Sequence, residues 1–504
     1  MVFSARLTTR RSSAFGRRQT IIGTLFLLLL AANCQPLSPH QQEIPTVPPA
    51  SVAGDGQSAM VNSAGRAAGN RQATPHIIVL VFDSMRASAL GAYGEPRPVS
   101  PSLDKFARES LQFINVHAHA SYTSASSASL FTGTLPDQHR VLAHTDRLPQ
   151  DIPVLASALK SVGYCTVAVS EMASCSRHQG FDAGFDQFEH GFGQGIGPEQ
   201  RAMDKAAYNA LQQFIIGAAH RPQFLYLHFR RPHGPYDGRY EYQQFFRRHP
   251  ELADTQADND ELNRLDAAGP LAPELVEHLR DLYDAGARTM DDTAGWVIRV
   301  LEQASVLDAT VVIAMADHGE AFYEHRRLVH SHSIYGELTN IPLLIRAPVP
   351  DAQRGLWPGL AATGDIYETI LAAAGIARSA HQTNGNRPLW PAVRGEHVEP
   401  REWLYTRAAG DFPPQHRGIR SARWFFAIRA PGQTVELFDV EADPAERRNL
   451  AQEEPERAEW FHTELLREER SFRAFQSGAN SPGTAGRAPD PELMDQLEKL
   501  GYLH

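Results

Sequence analysis

Cysteine is scarce in this sequence, with three copies among 504 residues. One of them, Cys34, lies near the N-terminus, which leaves only Cys165 and Cys175 in the body of the chain. These two could form a single disulfide in an oxidising compartment. Their separation along the chain does not fix the geometry of a bridge, so two free buried thiols are the alternative.

An excess of basic residues is also absent. Lys and Arg together number 48 against 58 Asp and Glu, and the formal net charge is -10. This balance gives no reason to expect a nucleic-acid partner. Histidine, by contrast, is numerous, with 22 copies, and several lie close to acidic residues, so metal chemistry is a class of function to examine.

The N-terminal apolar run, residues 21–32, is too short to span a bilayer comfortably, because about 20 residues are needed. Five Arg and no acidic residue precede it in the first 18 positions, a pattern typical of a bacterial export signal. Cys34 ends the stretch Leu-Ala-Ala-Asn-Cys, which resembles a lipoprotein cleavage box. We therefore expect segment 1–34 to direct export to the periplasm or cell envelope and to tether the protein to a membrane through lipidated Cys34. A plain cleaved signal and an uncleaved anchor are the alternatives.

The two ends of the chain beyond this signal have the composition of linkers. Residues 35–75 are rich in Pro, Ala, Ser, Gly and Gln and lack a periodic apolar pattern, so we predict a flexible linker. Such a linker suits an enzyme held away from a membrane. Residues 476–504 are predicted to be a tail, of which the first part is rich in Gly, Ser, Ala and Pro.

Between these ends, continuous apolar runs predict strands that are buried on both faces. Segments with helical spacing of apolar residues separate the strands, at 102–110, 152–162 and 274–304. Strands that alternate with helices predict an α/β fold whose sheet is covered on both sides. The predicted strands are 77–82, 166–169, 224–227 and 310–315.

Polar residues cluster where three of these strands end. Asp83 follows the first strand, residues 228–233 contain two His, and residues 317–320 read Asp-His-Gly-Glu. Ligands of open α/β sheets bind beyond the carboxyl ends of the strands. The three strand ends therefore predict one shared site.

Two further segments depart from the alternating pattern. Residues 237–272 look inserted and are partly acidic, which indicates a solvated surface excursion or, alternatively, a lid over the site. After about residue 378 the pattern changes to short strands, near 403–405, 424–428 and 435–438, and one helix, 454–470. We predict a smaller α+β domain over residues 379–475.

Asp83 and the pair Asp317-His318 could share a metal ion, although such a set alone is weak evidence. The wider sequence from 77 to 450 resembles the sulfatase branch of the alkaline phosphatase superfamily. The resemblance implies a catalytic domain over 76–378 built on a large mixed, mostly parallel sheet sandwiched by helices. The matching pieces are Val-Phe-Asp-Ser-Met-Arg at 81–86, Thr-Ser-Ala-Ser-Ser-Ala-Ser-Leu-Phe-Thr-Gly at 123–133, Leu-Pro-Asp-Gln-His at 135–139, Arg-Pro-His-Gly-Pro-Tyr at 231–236, Ala-Asp-His-Gly-Glu at 316–320 and Leu-Phe-Asp-Val-Glu-Ala-Asp-Pro at 437–444.

The resemblance implies that Thr123 is the nucleophile. Thr123 falls at the position of the family's Cys or Ser when the signature is counted back from Leu130, Thr132 and Gly133. A helix that starts there would offer free backbone N–H groups and the positive end of its dipole to an anion. The alternative is that Thr123 is only a helix N-cap.

Departures from the family pattern change the expected chemistry. Sulfatases oxidise their Cys or Ser to formylglycine, whereas Thr is a secondary alcohol and cannot become an aldehyde. Ala125 and Ser127 replace the Pro and Arg of the signature, and positions 171–173 lack the sulfate-binding Lys and His. Members that transfer phosphoryl groups use a plain Thr or Ser alkoxide that a metal activates.

The resemblance also implies one divalent metal ion, held by Asp83, Thr123, Asp317 and His318. The family's second early Asp is Ser84 here, and the late Asp-Asn is Asp317-His318. An imidazole ligand favours Mn, Zn or Fe over Ca, which prefers oxygen ligands and remains the alternative metal.

Two histidines complete the expected catalytic set. His233 matches a family histidine near the leaving group, and a structural loop role is its alternative. His330 lies where the family has a Lys or His near the anion, with His332 as its rival. His139 and His325 also match family positions, but for these two we expect structural hydrogen bonds.

We therefore expect an exported, metal-dependent hydrolase or transferase that acts on a phosphate or sulfate ester of a small molecule, glycan or lipid. In this hypothesis Thr123 attacks phosphorus or sulfur, and His233 or His330 protonates the leaving group. The first alternative is a sulfuric ester hydrolase of the arylsulfatase kind that works without formylglycine. The second is a binding protein that keeps the fold without activity, although an intact metal-ligand set argues against it.

Overall fold

An α/β architecture is present in the computed structural model, which describes residues 74–191, 198–255, 257–377, 385–408, 416–430 and 434–478. The predicted signal segment 1–34, Cys34 and the predicted linker up to residue 73 lie outside the described residues, as does the tail from 479. Among the described residues, no helix has the length and apolarity that a membrane crossing requires. The described strands are β1 (His76–Phe82), β2 (Leu111–His117), β3 (Cys165–Ser170), β4 (Gln187–His190), β5 (Gln223–Phe229), β6 (Thr310–Ala316), β7 (Ala321–Phe322), β8 (Leu328–Val329), β9 (Leu343–Arg346), β10 (Gly355–Ala362), β11 (Leu404–Arg407), β12 (His416–Arg420), β13 (Trp424–Arg429) and β14 (Thr434–Asp439).

Helices separate most of these strands, as the apolar spacing predicts. The helix predicted at 274–304 is confirmed almost to its ends. In the segment predicted at 152–162, only residues 155–161 are helical. The described α-helices are α1 (Pro101–Arg108), α2 (Thr123–Thr132), α3 (Pro136–His139), α4 (Leu155–Ser161), α5 (Pro198–Ala218), α6 (Tyr240–Phe246), α7 (Asn259–Ala268), α8 (Pro273–Gln303), α9 (Gly336–Thr339), α10 (Thr363–Ala373), α11 (Trp390–Val393) and α12 (Pro455–Gly478).

The main sheet has eight strands in the order β10-β2-β9-β6-β1-β5-β3-β4. Strand β9 runs antiparallel to its neighbours β2 and β6, and the other pairs are parallel. Every residue of β5 and β6 is buried, because each strand is an apolar run covered on both faces. The predicted α/β fold with a large mixed, mostly parallel sheet between helices is confirmed.

A second, antiparallel sheet follows in the order β11-β12-β13-β14. Helix α12 packs on it through Phe461 and Leu465, which share an apolar cluster with Phe426 and Leu437. The small C-terminal α+β unit is therefore present, and Leu135 of the main part joins the same cluster. Helix α12 continues to Gly478, so the first three residues of the predicted tail, 476–478, are helical.

Candidate active site and metal centre

The carboxyl ends of β1, β5 and β6 lie side by side because these three strands are parallel and in register. Phe82, the last residue of β1, is paired with Phe229 of β5 and with Ala316 of β6. The residues that follow, Asp83 and Asp317, therefore leave the sheet at the same level. The strand ends that the sequence singles out do converge on one place.

Asp317 is held so that only one of its carboxylate oxygens is committed. Its Oδ1 accepts from the backbone N–H of Ser84 at 3.1 Å and from that of His318 at 2.8 Å. Its Oδ2 is buried and has no hydrogen-bond partner among the residues that the structure describes. Ser84 adopts a left-handed backbone with φ 59° and also donates its hydroxyl to Asp83 Oδ1 at 3.0 Å.

Two imidazoles face these carboxylates through their Nε2 atoms. His318 uses Nδ1 against the Gly319 carbonyl oxygen at 2.8 Å, and His228 uses Nδ1 against the Tyr226 hydroxyl at 3.0 Å. These contacts orient each ring from behind, as outer partners of metal-binding histidines do. Nε2 of His318 and Nε2 of His228 each lie 3.6 Å from Asp317 Oδ2.

Asp83 lies next to both imidazoles. Its Oδ2 is 3.6 Å from His228 Nε2, and its Oδ1 is 3.7 Å from His318 Nε2. Asp83, His228 and Asp317 form a buried set able to hold a metal ion. Ligands at about 2.1 Å around a tetrahedral ion lie roughly 3.4 Å apart, close to the spacing of these atoms. The mixed oxygen and imidazole donors, with two buried atoms that lack hydrogen bonds, fit a divalent cation.

Thr123 is the first residue of α2 and reaches the same group. Its hydroxyl lies 3.3 Å from Asp83 Oδ2 and 3.3 Å from His318 Nε2. The N-cap position belongs to Tyr122, and no side chain caps the helix, so the alternative of Thr123 as an N-cap is wrong. Ser126, one turn further, donates its hydroxyl to the Asp317 backbone oxygen at 2.6 Å and fastens the helix start to the site.

The small residues of α2 explain how a helix can begin inside the protein. Every residue of α2 is buried, and Ala and Ser side chains allow the surrounding segments to pack close to its backbone. The helix ends at Gly133, which has φ 63° and lies against the Tyr367 ring. Free N–H groups of the first turn are thereby presented to the site rather than to solvent.

His233 and His330 border the metal centre. The ring centroid of His330 is 4.4 Å from that of His318 and 4.8 Å from that of His233. His330 Nδ1 lies 2.9 Å from Glu320 Oε1, and His233 Nδ1 lies 2.6 Å from the carbonyl oxygen of Gly234. The structure therefore brings together all the predicted site residues: Asp83, Thr123, His233, Asp317, His318 and His330.

The other candidate histidines form hydrogen bonds to groups outside the carboxylate and imidazole cluster. His332 Nε2 lies 3.0 Å from the Leu328 carbonyl oxygen. His139 binds the Ser129 hydroxyl at 3.1 Å, and His325 binds the Glu337 carboxylate at 2.6 Å. His139 and His325 thus make structural hydrogen bonds.

The charges of the site favour a positive charge between the carboxylates. Burial would raise the pKa of Asp83, but the imidazoles of His233 and His228 outweigh it and hold that pKa below its ordinary value. Burial would lower the pKa of His228, but Tyr226 and Asp317 raise it well above its ordinary value. A cation placed among these groups would meet the same attraction.

Glu320 and His330 respond to burial in opposite senses. Burial, and then the nearby charge of Asp83, raises the pKa of Glu320 well above its ordinary value. Burial and the neighbouring His318 and His233 lower the pKa of His330 well below its ordinary value. Both pKa changes favour the neutral forms of Glu320 and His330 over a charged carboxylate beside a charged imidazole.

Sequence reasoning missed His228 as a candidate metal ligand. The signal was a histidine inside an otherwise apolar buried strand, paired with Val81. Side chains two residues apart on a strand share a face, so His228 lies on the face of Val81 and Asp83.

Cys175 lies close to His228 as a free buried thiol, so the disulfide considered between Cys165 and Cys175 is not formed. Burial raises the pKa of the Cys175 thiol, and His228 opposes this.

The inserted segment, residues 237–272, packs against the loops that carry His233 and His330. Asp266 of α7 accepts from the backbone N–H of Leu328 at 2.6 Å, in the strand that precedes His330. A Cβ on Gly234, beside His233, would come within 2.4 Å of Asn259 Oδ1. The segment therefore contacts the loops at the rim of the site. The interpretation as a solvated surface excursion did not include such contacts.

This chain is similar to known proteins along most of its length. The chain is 24% identical over 428 residues to a Δ4,5-hexuronate-2-O-sulfatase of Bacteroides thetaiotaomicron, covering 77% of this chain and 86% of that protein. It is 25% identical over 432 residues to a choline-sulfatase of Rhizobium meliloti, covering 75% and 82% of the two chains.

The fold also matches solved structures. A phosphonate monoester hydrolase of Agrobacterium radiobacter superposes with a TM-score of 0.65 at 17% identity, over 79% of this chain and 96% of that one. The family model described as Sulfatase matches residues 75–376, more than half of the chain. The chain therefore belongs to the sulfatase family and is a sulfatase-like ester hydrolase.

Proposed function

We propose that this hydrolase cleaves a phosphate ester by metal-dependent displacement, with the hydroxyl of Thr123 as the nucleophile. The observation that carries the proposal is the position of that hydroxyl, 3.3 Å from both Asp83 Oδ2 and His318 Nε2 at the start of a buried helix. A Thr cannot form the aldehyde of formylglycine, and it needs only deprotonation to attack phosphorus.

Asp83, Asp317, His318 and, in addition, His228 would hold one divalent ion, with Thr123 next to it. When bound, such an ion lowers the pKa of a neighbouring hydroxyl and polarises the oxygens of an ester. Two imidazoles and two carboxylates favour Mn, Zn or Fe. These ligands come from three neighbouring strand ends, and Thr123 at the start of α2 lies beside them, so the substrate would meet the ion next to Thr123.

Residues of the chain would carry out the attack, the binding of the phosphoryl oxygens and the protonation of the leaving group. Thr123 loses its proton to solvent and its oxygen attacks phosphorus, while backbone N–H groups of the first turn of α2 bind non-bridging oxygens. The bond to the leaving oxygen breaks, and that oxygen takes a proton from His233 or His330. Water then cleaves the Thr123 ester and regenerates the hydroxyl.

A sulfate ester is the second candidate substrate. Two relatives similar along most of their length are named as sulfatases, which favours it. The attack of a Thr123 alkoxide on sulfur would leave the metal ligands and histidines in the same roles. The leaving group would be an alcohol of a small molecule, glycan or lipid in either case.

The test is an activity screen with matched variants. Purified enzyme is loaded with Mn, Zn or Ca and assayed with p-nitrophenyl sulfate, p-nitrophenyl phosphate, bis-p-nitrophenyl phosphate and p-nitrophenyl phenylphosphonate. We expect turnover of a phosphorus ester, a fall in kcat of about 10³-fold or more in Thr123→Ala, and partial activity in Thr123→Ser. Near-normal turnover by Thr123→Ala would overturn the proposal, and turnover of the sulfate alone would select the second candidate.

A further inference from the structure

The backbone on both sides of His330 is in the left-handed region. Val329, just before it, has φ 56°, and Ser331, just after it, has φ 75°. A β-branched residue such as Val rarely adopts this conformation, because its Cβ comes too close to the backbone. Strain of this kind persists only where the surrounding structure holds it, and it is concentrated at functional sites. The groups that anchor residues 328–332, here called the His330 strap, are therefore candidates for a functional role.

The first anchor of the His330 strap is the segment that carries the nucleophile. Ser331 donates its backbone N–H to the carbonyl oxygen of Ser121 at 3.0 Å, and Ser121 lies two residues before Thr123. Within the strap, His332 Nε2 lies 3.0 Å from the Leu328 carbonyl oxygen. The second half of the strap is thus joined to the start of the catalytic helix.

The second anchor is Asp266, which belongs to α7 of the inserted segment. Its Oδ1 accepts from the backbone N–H of Leu328 at 2.6 Å, and its Oδ2 accepts from Arg327 Nε at 2.8 Å. The Asp266 side chain is 11% exposed, and hydrogen bonds to a carboxylate are stronger than those between neutral groups. Helix α7 holds Asp266 in this place because its apolar residues Leu262 and Leu265 are buried.

The position of the His330 ring depends on both anchors. The ring centroid lies 4.4 Å from that of His318, and Nδ1 lies 2.9 Å from Glu320 Oε1. Strand pairing contributes little to this placement, because β7 and β8 pair through two residues each. A shift of Leu328 would therefore move His330, two residues further along. A displacement of about 1 Å in an active site can cost about 10²-fold in rate.

We propose that Asp266 is a positioning residue, which binds the Leu328 amide, holds the His330 strap in its strained conformation and so keeps His330 beside the substrate. The inference rests on the proposed function, in which His330 is one of two histidines near the leaving group, and it does not choose between them. It gives the inserted segment a role in catalysis that differs from both a solvated surface excursion and a lid.

The kinetic test compares three variants of the metal-loaded enzyme on the p-nitrophenyl ester that the wild type turns over. Asp266→Ala should lower kcat by about tenfold or more while KM changes by less than about threefold. Asp266→Asn keeps an acceptor for the Leu328 amide and loses only the ion pair with half-exposed Arg327, so its kcat should stay within about threefold of wild type. Asp266→Ala combined with His330→Ala should be no slower than His330→Ala alone.

Asp258→Ala is the matched control on the same helix. Asp258 is the N-cap of α7 and accepts from the backbone N–H of Glu261 at 2.8 Å, and it makes no printed contact with the strap. Its replacement should lower Tm but leave kcat within about twofold of wild type, since a weaker helix cap does not release Leu328. Asp266→Ala should also retain its metal, because Asp83 and Asp317 are untouched.

Hydrogen exchange measured by mass spectrometry tests the anchor without any assay of activity. Peptides that span residues 324–334 should exchange faster in Asp266→Ala than in wild type, and at the wild-type rate in Asp258→Ala. If Asp266→Ala does not fold, Asp266→Glu replaces it, because one extra methylene displaces the carboxylate, and the same loss of kcat is expected.

Several results would overturn the role of Asp266. They are an unchanged kcat or unchanged exchange in the Asp266 variant, a loss of kcat that is additive with His330→Ala, and a wild-type kcat in His330→Ala itself. An equal loss of kcat in Asp258→Ala or in Asp266→Asn would also do so. Turnover retained by Thr123→Ala would instead reject the proposed function, while faster exchange in Asp266→Ala would still show that Asp266 anchors the strap.

Discussion

At the scale of single residues, the site depends on which atoms are left unsatisfied. Asp317 Oδ1 accepts from two backbone N–H groups, whereas its buried Oδ2 and His228 Nε2 have no hydrogen bond within the described part of the chain. Leaving such atoms unpaired costs about 1–3 kcal/mol each, so their persistence at one point indicates a binding function.

His228 provides the first prediction. Replacing His228 with Asn should weaken metal binding by about 100-fold or more, because a ligand from β5 is removed while the carboxylates keep their charge. Metal content after dialysis, and the rise in Tm on adding Zn or Mn, measure the loss without any assay of activity.

His332→Asn is the control for this prediction, because His332 is also buried but binds a backbone carbonyl outside the site. It should retain the metal. Full metal occupancy in His228→Asn would show that Asp83, Asp317 and His318 suffice.

The limits of sequence reasoning also appear at this scale. Asp83, Thr123, Asp317 and His318 could be predicted because each lies in a motif with a fixed distance along the chain. His228 belongs to the site only because β5 pairs with β1 in one register, which places it beside Val81. Glu320 belongs to it only because β7 and β8 pair and bring His330 back to it. Neither relation is contained in local spacing.

At the scale of elements, buried strands were the most predictable part of the fold. The runs that became β1, β3, β5 and β6 are continuous and apolar, which is possible only when both faces of a sheet are covered. Strand β12 was missed, because its sequence His-Arg-Gly-Ile-Arg has neither an apolar run nor clear alternation. Its neighbours β11 and β13 supply the pairing that stabilises it.

Helix α2 yields a prediction about stability. Gly133→Ala should destabilise the fold by about 2–5 kcal/mol, because the position has φ 63° and a Cβ would lie 2.5 Å from the Tyr367 ring. Gly375→Ala is the matched control at φ 73° with open space around it, and it should cost only about 1–2 kcal/mol. Denaturant unfolding of the two variants measures the difference. Equal losses would show that packing against Tyr367 does not stabilise the C-terminal end of α2.

At the scale of the whole molecule, the catalytic unit and its small C-terminal sheet share apolar contacts, whereas the proposed export signal and linker precede them. We propose that the mature protein begins at Cys34 and is bound to a membrane by a lipid there. The basic start, the short apolar run and the cleavage-box resemblance support this proposal.

Mass spectrometry of the N-terminal peptide, from protein isolated with membranes, should give a lipidated Cys34. The variant Cys34→Ser should be released into the soluble fraction with its ester hydrolase activity unchanged. An unmodified N-terminus downstream of Cys34 would reject the tether and leave export as proposed.

The central claim is that Thr123 forms the covalent bond to substrate, and trapping that bond tests it most directly. Enzyme loaded with metal is mixed with a slight excess of the ester it cleaves, quenched in acid within one turnover, digested and sequenced by mass spectrometry. We predict the transferred phosphoryl or sulfuryl group on Thr123 and on no other residue of the peptide that contains Ser121, Ser124 and Ser126. The group on one of those serines, or a single turnover in which no adduct forms on the enzyme, would contradict the account.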